Sequence, residues 1–332
     1  MRWLITGGCG FIGRNLIGDL SREPGTAIRV LDNLSQGRTS ALPVPHIVLG
    51  DAVRDFALPD QDVVQVIPGD IRDDDTTYRA AADMQIVVHL AANTGVAQAL
   101  ADSVADCCVN VLGTLNCLEA ARRARVRRFI FASSGAPLAG CEPPLHENLA
   151  PRPASPYGAS KLAGEGYCSA FYHSHGLQTV ALRFGNVYGP GSDHKGSVVA
   201  KLIREAIAGK TWTTYGDGNQ TRDFIFITDL IAAIRKAASA PDVGGEVFQI
   251  ATHAETSVNE LIDRLGRVLA DREIPVPKLL RAASMRGDAR RNYSEINKAR
   301  TMLGWEPRVS LDEGLARTVD WFLAAGAISR ST

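Results

Sequence analysis

The chain has 332 residues, 45% of them hydrophobic and 22% charged, so it is long and apolar enough to bury a large core and is not expected to be disordered. Lysine plus arginine equals aspartate plus glutamate at 36 each, and no basic run interleaved with aromatic residues occurs, which argues against a nucleic-acid partner. The six cysteines have no CxxC or metal-ligand spacing, so we expect reduced thiols and no metal. The sequence shows no leader segment and no run of about 18 apolar residues, so we expect a cytoplasmic protein without a membrane span.

Short apolar runs rich in β-branched residues alternate with longer amphipathic segments along the first 250 residues. This alternation predicts a parallel α/β sheet. The predicted strands are Arg2 to Thr6, Ala27 to Asp32, Val63 to Asp70, Ile86 to Ala91, Arg128 to Ser134, Thr179 to Arg183 and Val247 to Ala251. A helix is predicted from Asn110 to Ala124, where apolar residues recur at helical spacing.

The segment GGCGFIG, residues 7 to 13, directly follows the first predicted strand and opens a helix. Gly7 would allow a tight turn, Gly10 a close approach of pyrophosphate to the backbone, and Gly13 close packing of helix on strand. Asp32 ends the second strand, where its carboxylate can accept hydrogen bonds from ribose hydroxyls and would repel a 2′-phosphate. The alternative, an ordinary tight turn and an unrelated loop acid, requires two coincidences in register. We therefore predict a Rossmann-type doubly wound parallel sheet that binds NAD.

The pattern changes after about residue 190 to a loop-rich segment. Residues 1–185 are predicted to form the NAD-binding domain, to which a segment at about 220–252 returns, and residues 186–332 mainly a smaller C-terminal α/β substrate lobe.

The segment PYGASK, residues 156 to 161, has the composition of a helix start. Ser155 and Pro156 suit the N-cap and first turn, which places Tyr157 and Lys161 four residues apart on one helical face. The Lys161 ammonium and a positive nicotinamide ring would both stabilise a phenolate and lower the pKa of Tyr157 from its usual value of about 10. An isolated YxxxK is more often a surface pair, but after a nucleotide-binding motif it indicates a general base.

Together with five further motifs, these motifs span nearly the whole chain. The further motifs are HLAA at 89–92, the serine pair at 133 and 134, RFGNVYGP at 183–190, YGDGNQTRDFIF at 215–226 and LGWEPRVSLDEGL at 303–315. On them the chain resembles the extended short-chain dehydrogenase/reductase family, specifically its NAD-dependent nucleotide-sugar epimerases and dehydratases, and most closely the UDP-sugar 4-epimerases.

The resemblance implies roles for individual residues. Ser134, with Ser133 beside it, matches the residue that hydrogen-bonds the reacting sugar oxygen, and Tyr157 and Lys161 match the catalytic pair. The cofactor-binding residues that it implies are Gly7, Gly10, Phe11, Ile12, Gly13, Asp32, Asn33, Asp70, Ile71, Leu90, Ala91, Ala92, Asn110, Tyr157 and Lys161. The substrate-binding residues that it implies are Thr94, Ser134, Tyr157, Asn186, Val198, Tyr215, Arg222, Arg286 and Arg290.

The loop after the serine pair separates two reactions of this family. The 4,6-dehydratases carry an Asp-Glu pair after the catalytic residue, whereas Gly135 and Ala136 stand here. The loop also has Leu138, Ala139 and Gly140 in place of the usual Val-Tyr-Gly. The residues thus favour 4-epimerisation through a 4-keto sugar.

The sugar stays open. Asn292 lies near the position that sets tolerance for a 2-N-acetyl group in UDP-galactose 4-epimerases and is smaller than the tyrosine of strict enzymes. Glucose/galactose, glucuronate/galacturonate and N-acetylhexosamines are ranked as near equals. The rivals are a nucleotide-sugar reductase, decarboxylase or dehydratase of the same family and a non-enzymatic NAD-sensing or scaffold protein on the same fold. The resemblance further implies a homodimer that packs the helix after Asn110 and the Tyr157 helix into a four-helix bundle.

Overall fold

A parallel sheet of eight strands organises the protein in the computed structural model, which describes residues 1–50, 63–283 and 290–329. The strands are β1 (Arg2–Thr6), β2 (Ala27–Asp32), β3 (His46–Val48), β4 (Val64–Pro68), β5 (Ile86–His89), β6 (Arg128–Ser134), β7 (Thr179–Phe184), β8 (Asn186–Tyr188), β9 (Trp212–Tyr215), β10 (Thr221–Arg222), β11 (Phe224–Phe226), β12 (Glu246–Ile250), β13 (Thr256–Ser257) and β14 (Leu279–Ala282). The large sheet has the order β12-β7-β6-β5-β1-β2-β4-β3, and every pair in it is parallel.

Helices cover both faces of this sheet. They are α1 (Phe11–Leu20), α2 (Asp74–Ala81), α3 (Val96–Ala101), α4 (Ser103–Cys107), α5 (Gly113–Arg123), α6 (Pro156–His175), α7 (Val198–Ile207), α8 (Ile227–Ser239), α9 (Val258–Ala270) and α10 (Leu311–Ser329). Because successive strand residues point to opposite faces, Trp3 and Ile5 of β1 join the core under α1 and α8, whereas Leu4 joins the core under α2, α5 and α6. This arrangement confirms the predicted doubly wound α/β fold.

The strand order reverses at β1, and this reversal determines where a binding crevice forms. The chain runs from β1 outward through β2, and later returns to β5 on the other side of β1. A crevice therefore opens at the carboxyl ends of β1 and β5.

Some predicted boundaries differ from the structure. The strand β5 ends at His89 rather than at Ala91, and the exposed strand β3 had no predicted counterpart. The strand β12 begins one residue earlier than predicted and returns to the edge of the large sheet, beside β7. After β7 the chain also forms three two-stranded sheets, β8 with β11, β9 with β14, and β10 with β13.

A long helix precedes β6. A π-helical turn, Cys108–Leu112, joins α4 to α5, so the helical segment begins at Ser103 instead of at the predicted Asn110. By length and composition alone, Ser103–Arg123 is long and apolar enough to span a membrane, and 44% of that window is buried inside the protein. The expectation that no such segment exists is therefore wrong for this helix, whose inner side packs against α6.

Candidate active site

A cleft with a volume of about 810 Å³ lies at the carboxyl ends of the strands. It brings together most of the residues that the sequence marked for the cofactor and several of those marked for the substrate. The predicted residues that line it are Gly7, Gly10, Phe11, Ile12, Gly13, Asp32, Asn33, Asp70, Ile71, Leu90, Ala91, Ala92, Thr94, Ser133, Ser134, Tyr157, Lys161, Asn186 and Val198.

The glycine loop fits the pyrophosphate of a dinucleotide. Gly7 has a φ of +68°, and a Cβ there would lie 2.7 Å from the backbone nitrogen of Ala91. A Cβ on Gly13 would lie 2.5 Å from the Cα of Gly8, so both positions exclude a side chain. Gly10 is the N-cap of α1 and leaves the first amides of the helix without a side-chain cap. These amides can therefore donate hydrogen bonds to an anionic group.

Two carboxylates border the end of the cleft that the glycine loop forms. Asp32 accepts hydrogen bonds from the backbone nitrogens of Cys9 (2.9 Å) and Leu34 (2.8 Å), and its burial raises its pKa while these two bonds lower it. Asp70 accepts hydrogen bonds from the Arg72 guanidinium at 2.9 and 2.8 Å, which holds its pKa at about 2. Asp32 thus presents a fixed carboxylate, the group that suits ribose hydroxyls and disfavours a 2′-phosphate.

Tyr157 and Lys161 occupy the first turns of α6, as the motif predicted. The side chain of Ser155 caps the helix by accepting a hydrogen bond from the backbone nitrogen of Gly158 at 3.1 Å. The Lys161 Nζ lies 6.0 Å from the centre of the Tyr157 ring and donates a hydrogen bond to the carbonyl of Ala132 at 2.9 Å.

The protein groups shift the pKa of Tyr157 in the direction opposite to the expected one. Burial, the largest cause, and the charge of Asp106 together raise the pKa of Tyr157 to about 12, although a hydrogen bond with Ser134 lowers it. Burial lowers the pKa of Lys161 to about 8, opposed by the charges of Asp106 and Glu165. Desolvation of the phenolate therefore outweighs the nearby ammonium, and the expected lowering is not supplied by the protein alone.

Ser133 has a structural use. It borders the cleft, but its hydroxyl donates to Glu165 Oε1 at 2.5 Å. Glu165 in turn accepts two hydrogen bonds from Arg183, at 2.8 and 2.7 Å, in an ion pair that is almost fully buried. The interpretation of Ser133 as catalytic is therefore not supported, because its proton is engaged beneath the site, while Ser134 is the serine that lowers the pKa of Tyr157.

Asn110, predicted to contact the cofactor, does not line the cleft. Its side chain accepts from the backbone nitrogen of Asn93 at 2.8 Å, and donates to the Asn93 carbonyl at 3.0 Å and to Asp106 at 2.8 Å. It therefore fixes the loop that carries Thr94 rather than contacting the cleft itself.

Three predicted substrate residues also lie outside the cleft. Arg290 forms an exposed ion pair with Asp217 at 2.8 Å, and the exposed ring of Tyr215 packs against Lys201. Arg222 is half-buried and donates to the carbonyl of Thr221 at 2.7 Å. Arg286, the remaining arginine, lies outside the described residues.

The sequence motifs do not single out two basic residues of the cleft. His194 and Lys195 both line it from the loop before α7. The only available signal was the polar composition of the GSDHKG segment, which does not separate a cleft wall from an ordinary surface loop. Asn292 does approach the serine loop, since its side chain lies 3.7 Å from where a Cβ of Gly135 would stand.

Comparison with known proteins agrees with this geometry. A family model described as the NAD dependent epimerase/dehydratase family matches residues 3–251. A UDP-glucose 4-epimerase of Mycolicibacterium smegmatis is 36% identical over 330 residues, which are 97% of this chain and 98% of that protein. The structure of a UDP-glucose 4-epimerase with UDP-glucose from Thermotoga maritima has a TM-score of 0.86 at 32% identity, covering 98% of this chain and 99% of that one. A Thermus thermophilus UDP-glucose 4-epimerase in complex with NAD has a TM-score of 0.85 at 33% identity, covering 98% and 100%.

Proposed function

The chain belongs to the NAD-dependent epimerase/dehydratase family, and we propose that within it this protein is an enzyme that interconverts the C4 epimers of a UDP-sugar. The observation that carries this proposal is that Ser134, Tyr157 and Lys161 line one cleft together, with Lys161 one helical turn from Tyr157 on α6. Relatives over nearly the whole chain that are named UDP-glucose 4-epimerases support the same reaction.

The composition of the cleft favours epimerisation over dehydration. Among residues 1–50, 63–283 and 290–329, Asp32 and Asp70 are the only acidic side chains that line it, and both border its glycine-loop end. Gly135 and Ala136 occupy the positions at which the resemblance implies the acid and base of a dehydratase. Elimination of water from the sugar therefore lacks the Asp-Glu pair that the resemblance implies for a dehydratase.

The chain's own groups can hold the sugar and move one proton. NAD, when bound, would supply the acceptor for the C4 hydride and, once reduced, the hydride donor for either face of the sugar. The Tyr157 Oη takes the proton of the 4-hydroxyl during oxidation and gives it back during reduction, while the Ser134 hydroxyl orients the same oxygen. The Lys161 ammonium, held by the Ala132 carbonyl, stabilises the phenolate form of Tyr157.

The glycine loop and Asp32 are proposed to hold the cofactor. The amides at the start of α1 would donate hydrogen bonds to the pyrophosphate, and the Asp32 carboxylate would accept hydrogen bonds from the adenosine ribose. Other predicted residues would form the walls of this part of the cleft, among them Asn33, Asp70 and Leu90.

A substrate assay tests the proposal. The purified protein with NAD would be incubated separately with UDP-glucose, UDP-N-acetylglucosamine and UDP-glucuronate, the products separated by chromatography, and NADH absorbance followed. A new C4 epimer without accumulation of NADH is expected for at least one sugar. Steady formation of NADH would move the protein to the dehydrogenases or decarboxylases, and no product with any sugar would contradict the proposal.

The homodimer that the resemblance implies is also proposed. Large apolar side chains are exposed on the outer side of the long helix and its neighbours, where Leu100, Val104 and Leu112 are 60, 72 and 52% exposed. Tyr167, on α6, is 38% exposed. A second copy that packed its own α4 to α6 against these residues would remove them from water.

A further inference from the structure

The substrate half of the cleft contains one cation with no counter-ion. Of the arginines and lysines in the described part of the chain, only Lys161 and Lys195 line the cleft. Lys161 is committed to the Ala132 carbonyl and faces the charges of Asp106 and Glu165. Lys195 is half-buried, and its ammonium has no hydrogen-bond or ion-pair partner among residues 1–50, 63–283 and 290–329.

The acid nearest to Lys195 in sequence is already neutralised. Asp193 forms an ion pair with Arg14 of α1, and its carbonyl accepts a hydrogen bond from Arg204 at 2.6 Å. The only other charge-bearing neighbour in the loop, His194, is itself a base, and burial lowers its pKa. The charge of Lys195 is thus left uncompensated by its own loop.

The backbone of the loop that carries Lys195 is anchored to α1. Asn15 of α1 donates to the Pro190 carbonyl at 3.1 Å, and Arg14 donates to the Gly191 carbonyl. Gly191 has a φ of +89°, and a Cβ there would lie 2.8 Å from the Arg14 Nε. The backbone nitrogen of Lys195 closes the turn by donating to the Ser192 carbonyl at 2.9 Å.

We propose that Lys195 is a substrate-binding residue that binds an anionic oxygen group of the substrate through its Nζ. This proposal rests on the proposed function, since it deepens the description of the same site. An ammonium that is partly withdrawn from water is stabilised by an anion within hydrogen-bond distance. Burial alone lowers the pKa of Lys195, as expected for a desolvated cation that the protein leaves unpaired.

Two groups of a UDP-sugar have this chemistry, the diphosphate and, in a uronic acid, the C6 carboxylate. The two predict different patterns of loss. A lysine on the diphosphate serves every UDP-sugar and UDP itself, whereas a lysine on the carboxylate serves only the uronate. If Lys195 binds the carboxylate, it favours the uronate over the other sugars, which the sequence motifs alone do not distinguish.

The test compares Lys195→Gln with the wild-type protein by isothermal titration calorimetry, with NAD present, using UDP, UDP-glucose and UDP-glucuronate. Because a charge-assisted hydrogen bond contributes about 1.5–3 kcal/mol, the affected ligands should bind about 10- to 150-fold more weakly. Lys210→Gln, which removes the same charge from an exposed position after α7, is the matched control and should bind all three ligands as the wild type does.

Each outcome decides the proposal. Weaker binding of all three ligands assigns Lys195 to the diphosphate, and weaker binding of UDP-glucuronate alone assigns it to the carboxylate. Binding of all three within twofold of wild type, or no binding of any by the wild-type protein, overturns it. Because binding is measured apart from turnover, a protein that binds these ligands but converts none would contradict the 4-epimerase reaction and still decide the role of Lys195.

Discussion

At the scale of single residues, the phenol of Tyr157 is the group whose removal should be most damaging. In the Tyr157→Phe variant the ring stays on α6, but nothing takes the proton of the 4-hydroxyl, so turnover should fall about 10²- to 10⁴-fold. The measurement is the initial rate of epimer formation, with the NAD content of the protein determined in parallel.

The control for Tyr157→Phe is Tyr172→Phe on the same helix. The Tyr172 ring packs beside Gly244 and Gly245, outside the cleft, and the substitution keeps that ring. Its rate should match the wild type. A Tyr157→Phe variant that retained NAD and kept more than a tenth of the wild-type rate would show that another group moves the proton.

His89 should make the stability of the protein sensitive to mild acid. It is buried between two threonines, with Nδ1 2.7 Å from Thr6 Oγ1 and Nε2 3.0 Å from Thr114 Oγ1. Because the Thr114 hydroxyl donates to the Asn110 carbonyl at 2.6 Å, it accepts from Nε2, and in a neutral ring Nδ1 is then the acceptor of the Thr6 hydroxyl. Burial and the charge of Lys161 lower the pKa of His89 from 6.5 to about 3, which favours this neutral ring.

The sign of the effect follows from these two values. An unfolded chain binds a proton at His89 below pH 6.5, whereas the folded chain does not until about pH 3. The contribution of His89 to the free energy of unfolding is therefore complete above pH 6.5 and is lost as the pH falls from there towards 3. Between pH 7 and pH 5 this residue alone should remove about 2 kcal/mol from the free energy of unfolding.

Urea denaturation at pH 7 and pH 5 measures this loss. A His89→Gln variant should be less stable at pH 7 but should lose less between the two pH values. His173→Gln, an exposed position on α6, should lose as much as the wild type. If His89→Gln and wild type lose the same amount, the ring is protonated in the folded protein at pH 5.

A site residue could be predicted from the sequence where a single helix or strand end determines its position. Tyr157 and Lys161 lie on one helix, and Asp32 lies at the end of one strand next to the glycine loop. Their spacing in the sequence was therefore enough to predict their positions. The direction of the Tyr157 pKa shift was not predictable, because desolvation depends on everything that packs around the ring. Likewise, nothing in the sequence shows that Arg290 pairs with Asp217 while Lys195 is left unpaired in the cleft.

At the scale of elements, the buried ion pair of Glu165 and Arg183 joins helix α6 to strand β7, and Ser133 adds strand β6 through its hydrogen bond. Replacement of one partner leaves an uncompensated buried charge. Arg183→Met should therefore lower the free energy of unfolding by about 3–5 kcal/mol.

The second half of this prediction is a double variant. Glu165→Gln with Arg183→Met removes both charges and keeps an acceptor for the Ser133 hydroxyl, so it should be more stable than Arg183→Met alone. Urea denaturation of the single and double variants gives the coupling energy. Additive losses would mean that the two side chains do not act as a pair.

Element boundaries were predictable where the sequence changes character sharply. Strands β1, β2 and β6 have the predicted bounds because each ends at a glycine or polar turn. The strand β3 was missed because it is three residues long and largely exposed, so it has no apolar pattern to detect. The long helix was predicted too short because its π-helical turn shifts the apolar residues out of a single 3.6-residue period.

At the scale of the whole molecule, the long helix connects the proposed dimer interface to the cleft. Val104 and Leu112 are exposed on its outer side, whereas Asn110, between them in sequence, is buried and holds the Asn93 backbone next to Thr94. A contact between two copies on the outer side would therefore rest directly on the segment that positions the cleft loop.

Val104→Glu should dissociate the dimer, because it would place two charges in the centre of an apolar contact about a twofold axis. Sedimentation velocity should show the mass of two chains for wild type and of one chain for the variant at the same concentration. Leu280→Glu makes the same change at a side chain of β14 that is 59% exposed and lies outside the proposed interface, so it should leave the mass at two chains. A wild-type protein with the mass of one chain would contradict the interface, and the exposed apolar face of the long helix would then need a different partner to cover it.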